Sequence, residues 1–273
     1  MPGRLILCAT PIGNLGDASL RLAQALNEAE IIFAEDTRRS RVLIQHLGVE
    51  RPLRSYHAGN EGSQAALMRD LLAGGATVAF LTDAGTPAIS DPGMSAVTAA
   101  RAAAATVSVI PGPSAVTAAL AVSGLPSERF TFEGFLPRKG RSRRQRLQEL
   151  SRETRSMVFF IAPHHLLDDL RDLLQGLGDR PLSVARELTK TFEEVWWGTL
   201  AEAIEHWTSR EPRGEFTVVI AGGEDPEPDL EVALGVALEL IERGAPLATA
   251  VKEVAETSGV SRRELYQRVV NSR

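Results

Sequence analysis

The sequence predicts two successive α/β domains with a cleft between them, followed by a small helical extension. Three observations carry this expectation. Short apolar strands alternate with helical segments from residue 4 to about 123, the pattern of a mainly parallel sheet covered on both faces. Gly124-Leu125-Pro126 then interrupts the alternation, and a second α/β stretch follows. Finally, an acidic, turn-rich linker, Gly222-Gly223-Glu224-Asp225-Pro226-Glu227-Pro228-Asp229, precedes three short helical segments. The boundaries so drawn are 1–123, 124–224 and 229–273.

Taken in order, the candidate strands of the first domain are 4–9, 30–34, 76–82 and 106–110. Its candidate helices are 18–28, 37–47, 62–74, 92–104 and 113–123, with Asp17 or Ser19 able to cap the first. Three of the strands run into Gly/Pro elbows: Thr10-Pro11-Ile12-Gly13-Asn14, Asp83-Ala84-Gly85-Thr86-Pro87 and Pro111-Gly112-Pro113-Ser114-Ala115. Ligands of open parallel sheets bind outside the carboxyl ends of the strands. Glycine lets the backbone approach a ligand closely, and proline stiffens the turn. The three elbows therefore read as one pocket built mostly of main chain.

In the second domain, Phe130–Phe135, Ser156–Ala162, Pro181–Arg186, Phe192–Thr199 and Phe216–Ala221 read as strands of a mixed sheet. A basic run opens a helix to about Arg152, and His164–Leu177 forms an amphipathic helix with leucines on one face. Leu230–Glu242, Pro246–Ser258 and Ser261–Ser272 are the helices of the extension. Gly259-Val260-Ser261 gives the last two the spacing of a helix-turn-helix, a pattern that serves nucleic-acid contact or a simple packing bundle.

Composition bounds the function. The chain has 273 residues, 44% hydrophobic and 24% charged, ordinary values for a globular protein. Its single cysteine, Cys8, sits in the first apolar run as core filling, which suits a reducing cytoplasm. The first residues lack the pattern of a signal peptide, and no uncharged apolar stretch is long enough for a membrane span. The net charge of −5 conceals a local asymmetry. From Arg138 to Arg146 the chain reads Arg-Lys-Gly-Arg-Ser-Arg-Arg-Gln-Arg with no acid, and Arg262, Arg263, Arg268 and Arg273 cluster near the end. Such patches on an acidic protein point to a polyanionic partner. Arg138, Lys139, Arg141, Arg143, Arg144 and Arg146 are the candidate RNA-binding residues.

Several chemistries lose support. No Gly-x-Gly-x-x-Gly follows a strand, and there is no Walker A lysine, Cys-x-x-Cys pair or His-Glu-x-x-His. His164 and His165 are adjacent and do not face one point, so no metal is expected. Polar groups instead gather after strands: Glu35-Asp36-Thr37-Arg38-Arg39, His57 with Asn60 and Glu61, Asp83, and Arg186-Glu187-Leu188-Thr189-Lys190.

Read in order, these groups, the elbows, Ile89-Ser90-Asp91-Pro92-Gly93, Gly124-Leu125-Pro126 and Glu133-Gly134-Phe135-Leu136-Pro137-Arg138-Lys139 resemble the ribosomal RNA small subunit methyltransferase I family of tetrapyrrole methylase (class III) enzymes. The resemblance covers residues 4–222, and the tail is similar to that family's helix-turn-helix extension. It implies a tetrapyrrole-methylase-type fold, a homodimer, and S-adenosylmethionine held between the domains. It also implies methylation of the ribose 2′-hydroxyl of a cytidine in the decoding centre of 16S rRNA. By position, the cofactor residues would be Pro11, Asp83, Ala84, Gly85, Thr86, Ile89, Ser114, Ala115, Leu188, Glu215 and Val218. One segment departs from the family. Where an aromatic-Glu-Ser-Pro-His-Arg stretch is usual, this chain has Phe160-Ile161-Ala162-Pro163-His164-His165, with Ile161 for the glutamate and His165 for the arginine.

A ribose hydroxyl needs somewhere to send its proton, and a general base is typically worth about 10²–10⁴-fold. Glu35, Asp36 and Asp83 are the leading candidates, with His57 and Glu61 behind them, and the sequence does not choose. Two other readings stay open: a methylase acting on a small tetrapyrrole, and a non-catalytic RNA-binding assembly factor that retains the fold.

Overall fold

A computed structural model describes residues 2–224 and 229–272. Residues 225–228 of the acidic linker and Arg273 of the terminal basic cluster lie outside the described residues. The chain divides into two compact units, residues 1–222 and 223–273.

Among the described residues, the first unit contains two five-stranded sheets. The first comprises β1 (Arg4–Cys8), β2 (Ile31–Ala34), β3 (Leu53–Ser55), β4 (Thr77–Leu81) and β5 (Thr106–Ile110), in the order β3-β2-β4-β1-β5. Every pair in it is parallel. Helices α1 (Leu20–Glu28), α2 (Thr37–His46), α3 (Glu61–Ala73) and α4 (Met94–Ala102) accompany it. Its central strands β1 and β4 are buried on both faces, so Leu5, Val78 and Phe80 enter one apolar cluster while Ile6, Ala79 and Leu81 enter another. β3 was not foreseen: it is three residues long and carries Arg54, too short and too polar to announce itself.

The second sheet is mixed, as expected. β6 (Phe130–Gly134), β7 (Ser156–Ile161), β8 (Pro181–Arg186), β9 (Glu194–Thr199) and β10 (Phe216–Ile220) lie in the order β6-β7-β10-β8-β9. Only β6 and β7 pair in parallel. Helices α6 (Gly140–Leu150), α7 (Leu166–Leu177) and α8 (Leu200–Thr208) accompany it. The leucine face of α7 packs into a core with Phe159, Trp207 and Phe216. Sequence reading also passed over α8, although Thr199 and Glu202 form a complete capping box at its start.

The expected boundary at residue 123 needs correction. Helix α5 (Ala115–Ser123), assigned by sequence to the first domain, packs on the second sheet. Its Val116, Ala119 and Leu120 join Val158, Ala185 and Val219 in one apolar cluster. The chain thus leaves the first sheet at the third elbow. Gly124 ends α5 in the left-handed conformation, φ +69°, which glycine adopts without strain.

The second unit, described by itself, is a three-helix cluster of α9 (Leu230–Glu242), α10 (Leu247–Ser258) and α11 (Arg262–Asn271). Ala233, Ala237, Val251, Val254, Leu265 and Val269 form its core. Gly259 closes α10 at φ +70°, Val260 is buried in the turn, and Ser261 caps α11. Arg268 is paired with Glu231 at 2.7 Å, so that cation is engaged within the cluster.

Candidate active site

The strands β4, β1 and β5 are neighbours, so the elbows that follow them are neighbours too. Thr10 N–H donates to Gly85 O at 2.8 Å and Gly85 N–H donates back to Thr10 O at 3.1 Å, which ties the first elbow to the second. The third closes against the first: a Cβ on Gly112 would stand 3.0 Å from Ala9 Cβ. The pocket inferred from the elbows is therefore one connected main-chain structure.

It forms one wall of a cavity of about 330 Å³ between the two sheets. From the first sheet come Ile12, Ala84, Gly85, Thr86, Ile89, Ser90 and Asp91, followed by Ser114, Ala115 and Val116 at the start of α5. From the second sheet come Phe135, Phe160, Ile161, Ala162, Pro163, Ala185, Leu188, Glu215, Phe216 and Thr217. Eight of the residues expected to hold a cofactor line it: Ala84, Gly85, Thr86, Ile89, Ser114, Ala115, Leu188 and Glu215. Three do not. Pro11 yields its place to the adjacent Ile12. Asp83 is not among the lining residues, its carboxylate being engaged by Asp36 N–H and Arg39. Val218 is fully buried in the apolar core, because side chains alternate along β10 and its neighbour Thr217 faces the cavity.

The two halves touch closely here. A Cβ on Gly13 would fall 2.4 Å from Lys190 Cγ and 3.1 Å from Leu188 O. Lys190 Nζ donates to Glu187 at 2.8 Å and to Glu215 at 2.9 Å, which fastens the loop after β8 to the start of β10. Both flanking loops carry non-glycine residues at positive φ: Ala88 at +69° and Ser90 at +59° in one, Glu187 at +51° and Thr189 at +68° in the other. Such conformations cost about 1–3 kcal/mol each and persist where the surroundings hold them.

The candidate bases separate by their partners. Asp36 caps α2: Oδ1 accepts from Arg38 N–H at 2.8 Å and Oδ2 from the Arg38 guanidinium at 2.9 Å. Those bonds hold its pKa down at about 2, so it is a poor proton acceptor at neutral pH. Asp83 accepts from Asp36 N–H at 3.0 Å and pairs with Arg39 at 3.4 Å. Glu35 has its carboxyl pushed up by burial and then by the Asp83 charge, and its Oε2 is buried without a hydrogen-bond partner. His57 Nδ1 accepts from Gly59 N–H at 3.1 Å, and Glu61 accepts from the Ser95 hydroxyl; neither residue lines the cavity.

Sequence reasoning quoted Asp91 but gave it no role. Asp91 lines the cavity, and burial, then the Glu35 and Asp83 carboxylates, push its pKa up to about 7. The signal was present as a third acid in a loop between Ser90 and Pro92, but only folding brings it beside Glu35 and Asp83.

A second, larger cavity of about 880 Å³ adjoins the start of α6. Arg138, Lys139, Arg143, Arg144, Arg171, His164 and His165 line it, together with Asp168, Asp169 and Asp172. The basic run divides by helical phase. Arg138, Lys139, Arg141 and Arg144 are exposed, with no ion pair among the described residues. Arg143 departs from the expected RNA contact. It is only 9% exposed, donating to Asp169 at 2.7 Å, to Asp172 at 2.5 Å and to Pro137 O at 3.0 Å. Arg146 is likewise engaged, by Glu133 and by Glu149. The two departures from the family pattern also part company. Ile161 is buried at the edge of the core and walls the first cavity, whereas His165 lines the second.

Among the described residues no group of three or more metal-ligating side chains occurs, and no helix is long and apolar enough to cross a membrane. Comparisons with known proteins agree with this architecture. The family profile of Tetrapyrrole (Corrin/Porphyrin) Methylases matches residues 4–204, and that of the RsmI C-terminal HTH domain matches residues 225–273. A protein of Xylella fastidiosa named ribosomal RNA small subunit methyltransferase I is 46% identical over 97% of this chain and 98% of its own. The protein of the same name from Mycobacterium tuberculosis is 45% identical over 99% and 96%. That of Thermotoga maritima is 46% identical, its whole length matching 81% of this chain. Among solved structures, cobalt precorrin-4 methyltransferase shares the fold with a TM-score of 0.60 at 16% identity, covering 80% of this chain and 94% of that one. Uroporphyrin-III C-methyltransferase from Thermus thermophilus, complexed with S-adenyl homocysteine, does so with a TM-score of 0.58 at 17% identity, covering 80% and 97%. With both its α/β unit and its terminal helices matched, the chain belongs to the ribosomal RNA small subunit methyltransferase I family, a branch of the tetrapyrrole methylases.

Proposed function

We propose that this protein transfers a methyl group from S-adenosylmethionine to the ribose 2′-hydroxyl of a cytidine in the decoding centre of 16S rRNA. One observation carries the reading: an acid-flanked, ligand-sized cavity adjoins a cation-lined one, and the two share Phe135 and Ala162. The residues present suit the cofactor. Small side chains and main chain at Ala84, Gly85, Ser114 and Ala115 allow close approach, and the acids Asp91, Glu35 and Asp83 complement a molecule bearing a sulfonium and an ammonium. When bound, S-adenosylmethionine supplies an electrophilic methyl group.

The protein's part is alignment and proton transfer. Asp91 is the proton acceptor we favour for the 2′-hydroxyl. It faces the cavity, and a pKa of about 7 matches a base working near neutrality. Burial raises it most, and Asp83, tied to Asp36 N–H and Arg39, contributes to the negative field that raises it further. Glu35 adds to that field. Exposed Arg138, Lys139, Arg141 and Arg144 grip phosphates, while Arg143 and Arg146 shape the surface that carries them.

The same reading places the protein in the cytoplasm with the small ribosomal subunit, as a homodimer. Light scattering that gives a monomer mass at micromolar concentration overturns the dimer. Methyl-labelled S-adenosylmethionine and small subunits test the reaction. Label in a cytidine whose 3′ linkage resists alkaline cleavage is the expected result; no label in the RNA from any assembly state overturns it. Label in a precorrin instead would favour the tetrapyrrole reading.

A further inference from the structure

Phe135 is an exposed aromatic ring held as if it were buried. It is 60% exposed, yet the chain on either side of it is fixed. Before it, the β6–β7 pairing shifts register between Phe132 and Gly134, and Gly134 turns at φ +61°. Such a bulge re-aims the side chain that follows. A Cβ on Gly134 would lie 3.3 Å from Ser90 Oγ, so this turn is pressed against the strained loop that carries Asp91. After it, Leu136 is buried in the core and Pro137 O accepts from the buried Arg143 guanidinium at 3.0 Å. The ring itself meets the edge of Phe160, centroids 5.8 Å apart at 61°.

Its position matters as much as its rigidity. Among the described residues, Phe135 is the one aromatic side chain lining both cavities. One side leads to Ile89 and Asp91, and the other to Arg138, Lys139 and Arg144. A nucleotide whose phosphates lie on those cations and whose ribose reaches Asp91 must pass its base across this ring. Leaving a large apolar ring in water is unfavourable, and a fixed ring loses little entropy on stacking. Enzymes that modify one nucleotide draw it out of its stack and rest the base on aromatic side chains.

We propose that Phe135 is the stacking platform for the base of the nucleotide that receives the methyl group, and that Arg143, through Pro137, is the residue that positions it. This rests on the RNA reading above. The ring acts on substrate placement and not on the cofactor.

Single-turnover methylation of small subunits by wild type, Phe135→Ala and Phe135→Trp tests it, with calorimetry of S-adenosylmethionine binding alongside. Base–aromatic stacking lost to alanine corresponds to about a 5- to 150-fold fall in kcat/KM for RNA. Phe135→Trp, which restores a ring face, is expected within about threefold of wild type, and cofactor affinity within about twofold in both variants. A fluorescent cytidine analogue at the target position brightens when it unstacks; its signal on binding should differ between wild type and Phe135→Ala. If Phe135→Ala keeps wild-type kcat/KM, the platform is overturned while the RNA reading stands. A parallel loss of cofactor affinity also overturns it, since the ring then belongs to the cofactor's wall. Failure of the wild type to methylate any RNA overturns the reading beneath both.

Discussion

At the shared cavity the parallel sheet presents Ala84, Gly85, Ser114 and Ala115 from its elbows, whereas the mixed sheet presents Phe160, Ile161, Phe216 and Thr217 from its strands. The first half presents main chain and the Asp91 carboxylate. The second half works with apolar side chains and with arginines beside it. Parallel strands end together, so their turns collect at one edge and can approach a ligand closely. Antiparallel neighbours offer no such edge, and their contribution comes from whichever side chains alternate onto the inner face. Under the function proposed above, the chemistry belongs to the parallel half and the grip on substrate to the mixed half.

Asp91→Asn gives the largest break. The methyl-transfer rate should fall by about 10²–10⁴-fold with little change in RNA binding. The sign with pH follows from the raised pKa. Asp91 must be ionised to accept a proton, so the wild-type rate climbs as pH passes about 7 and then levels. Conversely, a carboxyl whose pKa is raised by folding favours the native state below its unfolded value and loses that contribution as pH rises through about 7. Asp91→Asn should therefore flatten the pH–rate profile and also steady the fold above pH 7, read by thermal unfolding. A mutant profile that still rises across pH 7 assigns the proton to another group.

Arg143→Ala strikes the other half, and as a structural residue. Removing one partner of a buried ion pair costs roughly 3–5 kcal/mol because the remaining charge is stranded, and Asp169 is itself largely buried. Urea unfolding measures this; a loss under about 1 kcal/mol would return Arg143 to the pool of RNA contacts. Gly13→Val tests where the halves meet. Overpacking against Leu188 O and Lys190 should weaken cofactor binding about 10- to 100-fold by calorimetry. Unchanged affinity would mean that the halves yield freely at this contact. Arg144→Ala is the mildest: stability within about 0.5 kcal/mol, and a log–log salt slope for RNA binding smaller by about 0.7–0.9 if it holds one phosphate. An unchanged slope would move the RNA track off this face.

Much of this was legible in the sequence because local chemistry set it. The elbows declared themselves through Gly and Pro, and their union followed from parallel strands. What escaped depended on phase or on distance. Arg143 lies four residues before Leu147 and seven before Leu150, on the buried stripe of α6, but a run rich in arginine reads as uniformly exposed unless the helix is phased by its leucines. Val218 and Thr217 differ only in which face of β10 they occupy. Asp91 owes its character first to burial and then to Glu35, far away along the chain, and to Asp83. Helix α5 looked like part of the first domain because it follows β5 directly, and nothing local says which sheet it will cover.

That last helix governs how the protein can be taken apart. Val116, Ala119 and Leu120 roof the second sheet, yet the residues that launch them, Pro111 through Ser114, are the third elbow of the first. A polypeptide beginning after Gly124 would leave Val158, Ala185 and Val219 without their cover, and one ending there would carry a greasy helix with nothing to sit on. Neither sheet is thus complete when the chain is cut at Gly124. Fragment swaps between relatives should succeed only where the cut falls ahead of Pro111, so that elbow and helix travel with the second sheet they cover.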